Sequence, residues 1–215
     1  MSLPARAVLY GFVLALGAVG VVAQPARPGE PPRRSPGESP RPSPQPQPRP
    51  HGTRVEVEPA RIVVDDGDSV GIRWPGGGEE MVRILGIDTP EIRHPEHDLP
   101  YAQSFGPEAR AFAMGAFATA TRVELLRAAT LDPFGRSLGY LFLDGRNYSL
   151  LVLRARLAEE SVSRYGDNGF PKEAAEVLAA GREQGPLPFE PPADYRARMR
   201  ELSRAMKARG EYPER

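Results

Sequence analysis

Between Thr53 and Leu143 the apolar residues come in short lengths, many of them β-branched and separated by turn signals. Val55-Glu56-Val57, Ala60 to Val64 and Ser69 to Trp74 either alternate or run apolar over strand-like lengths. Asp66-Gly67 and Pro75-Gly76-Gly77-Gly78 punctuate them, and Met81 to Ile87 reads as a further strand. Arg122 to Arg127 and Leu138 to Leu143 predict two more, the second ending at Asp144-Gly145. Helical signals fall between and after these strands. Pro107 opens one to about Thr121, with Ala111, Phe112, Met114, Ala116 and Phe117 expected to face inward. Tyr148 to Ala158 has the leucine density of a second, and Asp194 to Arg209 makes a charged, amphipathic third that Gly210 stops. The pattern predicts an α+β domain: a small five-stranded β-barrel with about three helices.

The N-terminal quarter has a different texture. Arg6 precedes an uncharged apolar run from Ala7 to Ala23, and Val21-Val22-Ala23 has the spacing of a cleavage site. Residues 1–23 are therefore expected to be a signal peptide or an N-terminal anchor, placing the chain outside the cytoplasm, secreted or periplasmic. Membrane attachment follows only if this segment stays uncleaved, since the run is slightly short of a full span. Residues 24–52 are proline, arginine, serine and glutamine, with proline at every second position from Pro40 to Pro50. Such a segment reads as a semi-rigid, polyproline-like linker. The folded domain is expected over 53–210, with an insertion at about 166–192 that contains a short helix from Pro171 to Arg182.

Charge narrows the possibilities. The chain has 28 basic and 28 acidic residues, but the first 52 carry six arginines against two glutamates. The remainder is therefore acidic, and any nucleic-acid contact has to come from a local basic site rather than a basic surface. The absence of cysteine excludes disulfides, thiolate metal sites and a cysteine nucleophile. No extended apolar face is visible in the sequence, so a monomer is expected.

Four stretches place ionic residues at strand ends: Asp65 to Val70, Arg83 to Glu91, Phe105 to Ala109, and Asp132 to Arg136. The first taken alone is an acidic turn, and such turns are usually solvated loops. It lacks the ligand spacing of an EF-hand. In the second, Arg83, Leu85 and Ile87 would share one face of a strand, with Asp88 just beyond its end. A charged residue opening an apolar strand, with two carboxylates at its exit, is an awkward arrangement for mere structure; the competing reading is a surface arginine capped by a salt-bridged turn.

Taken together, Asp66-Gly67-Asp68-Ser69-Val70, Arg83 through Glu91 and Phe134-Gly135-Arg136 resemble the three signature blocks of the staphylococcal nuclease family, in order and at similar spacing. Phe105 to Ala109 resembles that family's lead-in to its first helix, and Glu58-Pro59-Ala60 its first strand. The likeness covers about 55–165 and resumes at the last helix; the segment 166–192 has no recognised counterpart. The resemblance implies an OB-fold-like barrel and a calcium-dependent nuclease, an endonuclease or exonuclease acting on DNA and RNA and leaving 3′-phosphates. It implies Asp68, Asp88 and the carbonyl of Thr89 as Ca2+ ligands, and Glu91 as the group that orients or deprotonates the attacking water. Arg83 and Arg136 would grip the phosphate, and Phe134 and Tyr165 would contact the substrate. A hard cation takes oxygen ligands of this kind, and planar, permanently charged guanidinium suits a phosphoryl transition state.

The sequence departs from the family at Pro133, where a phosphate-binding lysine is common, and at Phe134, where tyrosine is. Ser149 and Arg156 stand where asparagine and glycine are common. His94, His97 and Asp98 lie in a longer loop after Glu91; histidines so spaced are more often incidental than metal ligands. Two non-enzymatic readings compete: a barrel that binds nucleic acid or protein without cutting, and a tethered scaffold. The first generally lacks several of the five ionic residues retained here.

Overall fold

A computed structural model describes residues 45–213 of the chain. The expected signal segment and the linker up to residue 44 lie outside the described residues. No helix among those described is long and apolar enough to cross a membrane.

Strands β1 (Arg54–Val57), β2 (Ile62–Val64), β3 (Ser69–Arg73) and β4 (Glu79–Ile84) come first, and a short β5 (Ile87–Asp88) follows. After α1 (Gly106–Thr119) come β6 (Val123–Leu131), β7 (Ser137–Leu143) and the two-residue β8 (Arg146–Asn147). Then follow α2 (Tyr148–Arg154), β9 (Glu159–Glu160), α3 (Val162–Tyr165), α4 (Pro171–Gln184) and α5 (Pro192–Arg209). The main sheet is ordered β1-β6-β7-β4-β3-β2, with β8 added to β7 and a separate pair formed by β5 and β9. It is a curled, mixed sheet that forms a half-barrel, an α+β fold of the OB-fold-like kind. The β4–β7 pair is parallel; the other pairs are antiparallel.

Alternation explains the core. Val70 and Ile72 of β3 and Val82 and Ile84 of β4 are fully buried, as are Leu125, Tyr140, Leu141, Val152 and Leu153. The inward face of α1 matches expectation in part: Phe117 is buried and Phe112 and Ala116 pack half-buried on the core, but Ala111 and Met114 are exposed. Ala109, Ala113 and Phe117, spaced four apart, are buried. Small residues at successive turns let the helix lie close to the sheet, and the larger side chains fall beside that stripe.

The apolar run from Met81 to Ile87 is not one strand. It stops at Ile84, turns through Leu85-Gly86 with a positive φ of 84° at Gly86, and resumes as β5. A side chain at Gly86 would also crowd Tyr140 and Val177. The residues of the expected 60–64 strand split likewise, into a 3-10 turn at Pro59–Arg61 and β2.

The end of the proline-rich segment lies on the barrel. β6 runs past the end of β1, and Gln45 to Gly52 serve the exposed edge. Leu131 donates to the Gln45 carbonyl, while the N–H groups of Gln47 and Gly52 donate to Ala129 and Arg127. The Gln47 side chain is buried against Ser137. Composition marks an extended segment here, and an extended segment can cover a sheet edge.

Two of the departures noted in sequence have local causes. Ser149 is buried and its hydroxyl donates to the Leu85 carbonyl at 2.8 Å, holding the β4–β5 turn. Arg156 sits at φ 60°, a left-handed position that costs most residues about 1 kcal/mol and that glycine takes freely.

Candidate active site

The turn at Leu85-Gly86 folds Asp88 back beside Arg83. The Arg83 guanidinium pairs with the Asp68 carboxylate and reaches Asp88 Oδ1 at 2.9 Å and the Ile87 carbonyl at 3.2 Å. Asp68 enters from the turn before β3, whose Gly67 carbonyl accepts the buried Tyr148 hydroxyl at 2.8 Å. Asp68 Oδ2 also accepts the Thr89 N–H at 2.7 Å and the Thr89 hydroxyl at 3.0 Å. Arg83, half-buried, and the buried Asp68, Asp88 and Thr89 thus form one cluster.

Glu91 joins it through a residue that the sequence reading did not single out. Arg196 of α5 donates to both carboxylate oxygens of Asp88, at 2.9 and 2.7 Å, and to Glu91 Oε1 at 2.5 Å. Its only sequence signal is membership of the amphipathic α5, whose buried Tyr195, Met199, Ser203 and Met206 define the inward face. Nothing in that pattern names its target.

The protonation balance differs across the cluster. Burial alone would raise the Asp88 carboxyl, but the Arg196 and Arg83 guanidinium groups outweigh it and hold it below the ordinary aspartate value. Burial raises Glu91, and the Asp66 and Asp88 charges add to that against the opposing pull of Arg196. Burial likewise raises Asp66, although Arg83 and His94 oppose it.

The Glu91 backbone is clamped. Its N–H donates to Gln103 Oε1 at 3.1 Å, and its carbonyl accepts the Gln103 N–H at 2.8 Å. Gly106, at the start of α1, packs so close that an added Cβ would lie 2.1 Å from the Glu91 carbonyl oxygen. Gly106→Ala must therefore displace Glu91 or the helix start. Urea unfolding should show a loss of about 1–3 kcal/mol, the usual size of an overpacking effect.

Arg136 reaches the site from the β6–β7 turn. Its Nε donates to Asp132 Oδ2 at 2.7 Å, while Asp132 Oδ1 accepts the backbone N–H groups of Phe134 and Arg136. Arg136 Nη1 lies 3.4 Å from Ser69 Oγ, which in turn donates to Asp68 Oδ1 at 3.3 Å. Phe134 is 85% exposed at the tip of this turn, and its ring faces the Arg136 guanidinium. Tyr165, 58% exposed, lines a cavity of about 420 Å³ together with Asp88, Glu159, Glu160, Ser161, Ser163 and Arg164. Asp132, Ser69 and Gln103 are supporting residues that sequence reasoning did not single out.

Of the loop residues after Glu91, His94 comes together with Asp65 and Asp66, with potential ligand atoms within 4.8 Å of one another. His97 stacks on His94, and Asp98 instead pairs with Ser203 and Lys207 of α5. The oxygen donors of Asp68 and Asp88, buried and convergent on one guanidinium, suit a hard divalent cation.

A curled OB-fold-like sheet thus gathers arginines and carboxylates at its strand ends. Residues 81–183 match the family model described as staphylococcal nuclease homologue. The match is to the family that the motifs resemble, and it suggests a nuclease-like, nucleic-acid-binding domain. The match takes in Arg83, Asp88, Thr89, Glu91, Phe134, Arg136 and Tyr165. It also runs through nearly all of α4, and so through most of the segment read from sequence as an insertion without a family counterpart. It ends before α5, the helix at which that reading has the likeness resume.

Proposed function

We propose that the protein is a calcium-dependent nuclease that hydrolyses phosphodiester bonds of DNA and RNA and leaves 3′-phosphate ends. The observation that carries this reading is the convergence of Arg83 on Asp68 and Asp88, with Glu91 tied to the same Asp88 through Arg196. Asp68 and Asp88 would hold the cation with Thr89. The family resemblance implies its carbonyl as the ligand atom, while its N–H and hydroxyl tie it to Asp68. When bound, calcium supplies positive charge that offsets the charge of the phosphate. Glu91 accepts the proton of the attacking water, and its raised pKa brings it closer to neutral pH, where a general base works best. Arg83 and Arg136 provide planar donors for the non-bridging oxygens as charge builds on them. Phe134, exposed beside Arg136, offers a ring on which a base can stack, and Tyr165 lines the cavity next to Asp88. Export through the N-terminal segment would bring such an enzyme to nucleic acid outside the cytoplasm.

The test is cleavage of single-stranded DNA, duplex DNA and RNA by the purified protein in calcium, magnesium or chelator. Cutting in calcium that stops on chelation, with 3′-phosphate products, is expected. Binding that survives chelation without any cutting would sink the catalytic reading and leave a binding module.

A further inference from the structure

Helix α5 lies beyond the residues that match the nuclease family, yet it reaches into the centre of the site. Its attachment has two parts. One is a small apolar patch separate from the main core, in which Tyr195 and Met199, with Leu202 beside them, pack on Leu99. Polar contacts to the same loop surround it: the Tyr195 hydroxyl to the Tyr101 carbonyl at 2.9 Å, Ser203 to Asp98 at 2.6 Å, and Gln103 to the Glu190 carbonyl at 2.7 Å. The other part is Arg196, which is directed at the carboxylates.

Arg196 uses both oxygens of Asp88 and one of Glu91. These are the groups that the proposed reaction needs for the cation and for the water. A guanidinium seated on both Asp88 oxygens takes up lone pairs that a divalent cation would use, and the two positive charges repel, so they compete for the carboxylate. The docked helix therefore neutralises the site without completing it. The apolar anchor is four residues, a patch separate from the core of the barrel.

We infer that α5 is an autoinhibitory strap: Arg196 competes with the divalent cation for Asp88, and loading the site lifts the helix. This rests on the reading of Asp68 and Asp88 as cation ligands, and the test separates the two ideas. Calcium binding to the full chain is measured by isothermal titration calorimetry for the parent, Arg196→Gln and Met199→Glu. The first variant removes the competing charge. The second loosens the apolar anchor and touches no carboxylate of the site, so it guards against an effect peculiar to position 196. Because docking reduces the binding-competent fraction, both variants are expected to bind calcium about tenfold more tightly than the parent. Saturating calcium should also speed hydrogen exchange at the α5 amides of the parent. Equal dissociation constants in the three proteins, tighter binding by the parent, or α5 exchange unmoved by calcium would each overturn the strap while leaving the cation site standing. No calcium binding in any of the three would overturn the cation site, and the strap with it.

Discussion

Replacing Arg136 with alanine is expected to lower kcat on DNA by about 10²–10³-fold, the usual cost of losing one transition-state donor. The fold should be nearly untouched, because the side chain stands at the tip of a turn and contributes no apolar packing to the core. Asp132 is the reason the effect should be large. It binds Arg136 Nε and the two backbone N–H groups of the turn, so the guanidinium is aimed before substrate arrives. The link through Ser69 Oγ to Asp68 sets that aim relative to the carboxylates. Lysine has neither the Nε contact nor the planar fork, so Arg136→Lys should recover little. Single-turnover cleavage beside thermal unfolding would check both points. A kcat within threefold of the parent, with unfolding unchanged, would remove Arg136 from the chemistry.

What could be read in the sequence was a set of near-contiguous ionic residues that the fold brings together. Arg83, Asp88, Thr89 and Glu91 lie within nine positions, and a short turn is enough to bring the first two together. Asp68 and Arg136 stand out because each ends a turn rich in glycine and acidic residues. The half-barrel was legible because β3, β4, β6 and β7 bury alternating or continuous apolar runs. Arg196 was not legible: it lies 105 residues beyond Glu91 and looks like every other arginine on a charged helix. Gln103 and Ser69 support the site through a few hydrogen bonds, which leave no periodic trace. The break of the Met81–Ile87 run depends on Gly86, one glycine in a pattern that otherwise favours a strand. The stretch from Gln45 to Gly52 has the composition of a linker, and only the open edge of β6 decides that it lies on the sheet.

One core position on β4 carries a charge, and it leads to the largest expected effect on stability. Glu80 shares the inward face with Val82 and Ile84, and alternation alone would place an apolar residue there. Instead its carboxylate is enclosed by donors: Arg127 Nε and Nη2 at 2.7 and 2.9 Å, Ser137 Oγ at 2.5 Å and Trp74 Nε1 at 2.8 Å. Both side chains of the ion pair are 3% exposed. Glu80→Ala leaves the Arg127 guanidinium buried with only the Pro50 carbonyl at 3.2 Å and the face of Trp74. Removing one partner of such a pair costs about 3–5 kcal/mol, whereas replacing both with apolar residues is often near neutral. Urea unfolding should therefore show Glu80→Ala strongly destabilised and a Glu80→Met/Arg127→Met double variant largely restored. The pH dependence follows from the same contacts. Burial raises the Glu80 pKa, but the bonds from Arg127, Ser137 and Trp74 outweigh it, so the folded value lies below the ordinary one. Its contribution is then complete at pH values above the unfolded glutamate range and is lost as pH falls through the depressed folded value. The stability gap between the parent and Glu80→Gln should accordingly be wide at neutral pH and shrink on acidification, as the parent's carboxylate takes up its proton. A gap that stayed constant down to acid unfolding would mean that shape, rather than charge, holds Glu80 in the core.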